Sequence, residues 1–142
     1  PELQGVMGKY FALSQVFEED VANSISDHYL PTGLTSELPK KPFSYSISIV
    51  DKIDTLVGFF VIDEKPTSSK DPFALRRAAI GLLRIIIENK LVFKLRDLIS
   101  YSMRLYEEQG VETSGTSPFI KNLTSRPAQK AKPTSSVRSA FS

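Results

Sequence analysis

Apolar residues recur at three- and four-residue steps along most of the first 110 positions, and that spacing predicts helices. Leu3, Val6, Met7, Tyr10 and Phe11 form one stripe over about three turns. After a break at 14–20, Val21, Ile25 and Tyr29 stack at i, i+4 and i+8. The acids Glu18, Glu19 and Asp20 at the start of that segment suit the positive end of a helix dipole. Pro31, Gly33, Pro39 and Pro42 then impose a loop of roughly a dozen residues.

Phe43–Ile49 alternates with period two and reads as a strand by propensity, whereas Ile49/Val50, Ile53, Leu56/Val57 and Phe60 keep helical spacing. A single strand with no pairing partner would be marginal. The helix is therefore extended back towards Phe43. Residues 66–72 form a turn that ends in a helix start, with Asp71 as N-cap and Pro72 at the first helical position. From Phe73 to Lys90 the chain is apolar nearly all round, which predicts a central helix buried on several sides. Leu95, Leu98, Ile99, Leu105 and Tyr106 give a last amphipathic helix, with Gly110 as its C-cap glycine.

The composition is that of an ordinary globular chain of 142 residues, 41% apolar and 24% charged. That length suits one domain, expected over residues 1–110, followed by a tail at 111–142. No apolar run approaches the ~20 residues of a membrane helix, and the first residues carry no basic-then-apolar leader, so no membrane partner and a cytoplasmic protein are expected. Zero Cys excludes disulfides, thiolate metal sites and a cysteine nucleophile, and the single His excludes a His-rich metal site. The formal charge of +2 is uneven: the tail holds five basic residues against Glu112, leaving 13 basic and 15 acidic groups before it. With eleven Ser or Thr, three Pro and few apolar residues from Glu112 onward, the tail is expected to be disordered or loosely docked.

Three polar groups could carry chemistry. Asp51 and Asp54, three apart, share a helix face and could bind a cation, act as an acid–base pair, or answer buried arginines. His28, at a helix end, is a candidate metal ligand or base, or more simply a cap. Arg76, Arg77 and Arg84 lie on the apolar helix and could pair with the aspartates inside the fold or face RNA phosphates. No glycine-rich phosphate loop, nucleophile elbow or aromatic-plus-basic RNA sheet is present. Residue chemistry alone thus stops at an all-α domain.

Four strings go further: PELQGVMGKY at 1–10, DHYLP at 27–31, DKIDTLVGFF at 51–60 and PTSSKDPFALRRAA at 66–79. Together they resemble the beta subunit of bacterial glycyl-tRNA synthetase across about residues 1–110. The resemblance implies an interior piece of a longer chain. It also implies a helical bundle resembling a degenerate domain of the histidine–aspartate (HD) hydrolase superfamily. Asp51 is similar to that superfamily's late metal-binding Asp and His28 to an accessory His, a vestigial metal pair, but the His-Asp dipeptide is missing. No cofactor is implied in this region; ATP and magnesium would serve adenylate chemistry on a separate alpha subunit. The implied partners are that alpha subunit, glycine tRNA and a second beta subunit. Two departures stand out: Ser68 where the family's Gly is expected, and Ser44–Ser48 in place of a small apolar stretch.

The combined expectation is a structural, tRNA-supporting domain without catalytic residues. Asp51, Asp54, Arg76 and Arg77 would be its buried polar heart, and Asp71 its helix cap. On that footing Arg77→Ala would cost several kcal/mol. The rival readings are a metal-dependent phosphohydrolase remnant and a pure subunit-interaction module.

Overall fold

The computed structural model describes residues 2–111 except 63, 65, 66, 68, 69 and 72; the predicted tail, Ser68 and Pro72 fall outside the described residues. Five helices follow in order: α1 (Glu2–Ser14), α2 (Glu19–Asp27), α3 (Pro42–Val61), α4 (Leu75–Glu88) and α5 (Leu95–Glu108). The described residues include no strand. The alternating stretch from Phe43 is helical because Pro42 supplies a preset φ at the first turn. Ser44 and Ser48, one turn apart, both face inward there.

The hub is α3, not the apolar helix expected at the centre. Helices α2, α4 and α5 each pack on α3, while α1 packs only on α2. Ile49, Ile53, Val57 and Val61 of α3 meet Leu82 and Ile85 of α4 and Met103 of α5 in one core. Each side chain there removes enough apolar surface to stabilise by about 1.5–3 kcal/mol. The continuous apolarity of α4 is used on one side only: Leu75, Leu82 and Ile85 are buried, whereas Ile80, Leu83 and Ile87 face outward, Ile87 at 70% exposure.

Helix α1 inverts its expected orientation as well. Leu3, Val6, Met7, Tyr10 and Phe11 are all exposed. The face laid on α2 is the line of small residues Gly5, Gly8 and Ala12. A Cβ on Gly5 would stand 3.0 Å from Tyr29 Cδ2 and 3.1 Å from the Ser26 carbonyl, so any larger residue would push α2 back by a few tenths of an ångström.

Three helices end in the same hydrogen-bonded turn. At α5, Val111 N–H reaches the Tyr106 carbonyl and Gly110 N–H that of Glu107, with Gly110 left-handed at φ 79°. The ends of α1 and α4 repeat both bonds, but with Val16 (φ 63°) and Lys90 (φ 53°) at the left-handed position. Glycine would be unstrained at either place, and the β-branched Val16 carries the greater steric penalty.

Asp71 meets the first turn of α4 from three positions before its N-cap residue, Ala74. Its Oδ1 accepts from Leu75 N–H at 2.8 Å and its Oδ2 from Arg76 N–H at 3.0 Å. Left-handed Ala74 (φ 53°) intervenes and the helix begins at Leu75.

Candidate functional site

The expected buried quartet is not buried. Asp51, Asp54, Arg76 and Arg77 are all exposed, and no ion pair joins them among the described residues. Asp54 Oδ1 instead accepts from the Tyr106 hydroxyl at 3.0 Å, and Arg76 donates to the Thr67 carbonyl. The Tyr106 phenol is pushed up by burial and then by the Asp54 carboxylate. That hydroxyl reaches α3 over Gly58, where a Cβ would lie 2.7 Å from it. Arg84 is the arginine of the three that bonds to the loop before α3. It donates to the Gly33 and Ser36 carbonyls at 3.1 and 3.2 Å and pairs with Glu88, one turn on, at 3.2 Å. Its partners are loop carbonyls, not the aspartates.

A different polar line lies inside. Ser44, Ser48 and Lys52 follow one another at i, i+4 and i+8 on the inner face of α3, and Lys52 is only 6% exposed. The Lys52 ammonium donates to the His28 carbonyl at 3.1 Å and to Ser48 Oγ at 2.9 Å. Ser48 Oγ, with one proton to give, takes the shorter contact, 2.7 Å to the Leu30 carbonyl. Burial pushes the Lys52 ammonium below its ordinary range, and adjacent Asp51 partly opposes that. The ammonium sits at the C-terminal end of α2, where dipole and open carbonyls favour a cation. The signal was present in the sequence as polar residues one turn apart on an apolar helix.

His28 is the C-cap residue of α2; its Nδ1 lies 2.9 Å from the Ile25 carbonyl and its ring packs on Tyr29. One ring nitrogen is thus committed to the backbone. The described residues contain no group of three or more His, Asp or Glu side chains able to hold a metal ion. His28 and Asp51 both line one groove beside α3, with no third such side chain grouped with them among the described residues.

Two depressions flank α3. An open cleft of about 860 Å³ is lined by Asp51, Lys52, Thr55 and Arg77, with Phe73, Tyr29 and Leu3 among its apolar walls. The second, about 830 Å³, is a largely apolar groove between α2 and α5, floored by Ile47, Val50 and Ile53.

A family model described as glycyl-tRNA synthetase beta subunit matches residues 1–141, so the likeness runs past residue 110 into the tail. Similar curated proteins are named glycine–tRNA ligase beta subunit. That of Rickettsia canadensis is 49% identical over 108 residues, covering 76% of this chain and 16% of its own. That of Paracoccus denitrificans is 54% identical over 89 residues, 63% of this chain and 13% of its own. The Buchnera aphidicola protein is 43% identical over 147 aligned positions, spanning 100% of this chain and 21% of its own. The chain thus spans between 13% and 21% of the length of these relatives.

Proposed function

The chain belongs to the glycyl-tRNA synthetase beta subunit family, and from that premise we propose that it is a tRNA-supporting helical segment of such a subunit. In this reading glycyl transfer to glycine tRNA takes place in a cytoplasmic assembly with an alpha subunit and a second beta subunit. ATP and magnesium serve the adenylate chemistry on the alpha subunit. The residues described here contribute no reacting group.

The observation that supports an RNA-facing role is the exposure of Arg76 and Arg77 at the start of α4, with no carboxylate paired to either among the described residues. A guanidinium with open N–H groups is suited to a phosphate, since its planar fork of donors can meet two oxygens of the opposite charge. The backbone beneath them is held by the Asp71 cap, which fixes where both side chains leave the helix. The test is glycine tRNA binding by the assembled enzyme carrying Arg77→Ala. The melting temperature should stay unchanged while affinity falls, with the salt slope reduced by about 1. Unchanged affinity and salt slope would remove Arg77 from the RNA surface.

The interaction-module reading has its own support, the outward apolar residues of α1 and of α4 at Ile80, Leu83 and Ile87. Sedimentation with and without the alpha subunit tests it. A complex that survives Leu83→Glu would rule out the α4 face as the contact.

A further inference from the structure

Asp51 and Arg77 line the same open cleft beside α3, yet no ion pair joins them among the described residues. Both side chains are exposed, and the cleft holds about 860 Å³, within the roughly 300–1,000 Å³ of ordinary ligand pockets. Opposite charges that share a cleft without meeting suit a ligand with an anion at one end and hydrogen-bond donors at the other. The third charged wall, Lys52, is already engaged, its ammonium donating to the His28 carbonyl and to Ser48 Oγ. Arg77 is therefore the lining cation left for an anionic ligand.

Phe73 adds a flat apolar wall. Its ring stacks on Phe59 with centroids 4.3 Å apart and planes 25° from parallel, which fixes one face, while 46% of the residue stays open. Phe59 lies one turn beyond Thr55 and two beyond Asp51, so the stack and the carboxylate rise from one side of α3. An aromatic face held in this way is a platform for a nucleobase.

We propose that this cleft takes one unpaired guanosine of a bound RNA, with its phosphate on Arg77, its base against Phe73 and its Watson–Crick edge on Asp51. The proposal rests on the RNA-facing reading of Arg76 and Arg77 and deepens it by naming the nucleotide. A carboxylate offers acceptors only, two oxygens side by side. Guanine is the base whose pairing edge carries two adjacent donors, N1–H and N2–H. Adenine and cytosine place one donor beside an acceptor, and uracil sets its donor between two, so each would turn a lone pair towards Asp51. The groove between α2 and α5 lacks this set: its formally charged lining residues, Asp51 and Asp54, are both acidic and repel a phosphate.

The test uses the assembled enzyme and glycine tRNA in which inosine, which lacks the N2 amine, replaces guanosine at random. The substituted positions are mapped in the bound and unbound pools. At one unpaired position inosine should weaken binding to the wild type about tenfold, and there it should have no effect with Asp51→Asn. Phe73→Leu, which keeps an apolar side chain against Phe59, should weaken binding of unmodified tRNA about tenfold with the salt slope unchanged, since stacking is lost and no charge is. Melting temperatures verify that each variant stays folded. Inosine effects that are the same in the wild type and Asp51→Asn at every position overturn the proposal, as does unchanged affinity in Phe73→Leu. If Arg77→Ala still lowers affinity and salt slope, the RNA then crosses α4 outside the cleft; if it does not, the RNA-facing reading falls as well. Glycine binding that is lost in both Asp51→Asn and Arg77→Ala overturns the proposal in favour of a zwitterionic amino acid, whose two charges match the same pair.

Discussion

Residues 51 and 52 are neighbours on α3, yet they belong to opposite physical regimes. Asp51 projects into solvent, whereas Lys52, about 100° further round the helix, is enclosed beneath Pro31 and Gly81. The Lys52 line stabilises because it supplies donors to two half-buried backbone carbonyls just past the end of α2. The Asp51 face meets no such need. Charge on a helix becomes structural when the opposite surface presents groups that water can no longer reach.

The sharpest break of that contrast is Lys52→Ala. Losing both donor bonds and the packed stem should cost about 3 kcal/mol in chemical denaturation. A loss as small as that of a surface lysine would mean water replaces the ammonium. Ser48→Ala should cost about 1–2 kcal/mol, because it strips the donor from the Leu30 carbonyl and an acceptor from Lys52. Ser44, one turn earlier, is buried with no hydroxyl partner among the described residues. Ser44→Ala should therefore be neutral or stabilising by up to about 1 kcal/mol. Opposite signs for the same substitution one turn apart would isolate the carbonyls as the cause.

Asp71→Ala, which removes two acceptors from the first turn of α4, should cost about 1 kcal/mol. At the small end, Asp51→Ala and Arg77→Ala should each change stability by no more than about 0.5 kcal/mol, in place of the several expected of a buried pair. A larger loss at Arg77 would restore the buried reading.

Alkaline pH sharpens the same comparison. Lys52 is lowered from its ordinary 10.5 by burial, so between its folded value and 10.5 the unfolded chain binds more protons. Its contribution to stability rises with pH across that window. Tyr106 is raised above 10.0, so its contribution falls as pH climbs through its folded value. The stability difference between wild type and Lys52→Met isolates the first effect: it should grow towards pH 10.5, and a flat difference would count against a desolvated ammonium.

The helices were legible because their causes are local. The acids before α2, Asp71 and Gly110 each act within one turn, and the apolar spacing of α3 and α5 announces their inner faces. Which apolar face is buried was less legible. The stripe on α1 looked like core, but a glycine pair gives a closer approach to α2 than the stripe could. The apolar girdle of α4 looked central, but only one side finds partners among the described helices. The arginines misled for a related reason: cost of burial predicts a partner for Arg84 and is silent on Arg76 and Arg77, which avoid burial altogether.

By itself, the sequence determined the helical class, the number of main helices, the Asp71 cap and the family, since each rests on short-range pattern or on long matching strings. Tertiary structure alone decided that α3 is the hub, that Lys52 rather than the aspartates is enclosed, and that Arg84 holds the loop. Those outcomes depend on which carbonyls, 18 to 51 residues away, the fold brings against those side chains. A one-dimensional pattern carries no record of that distance.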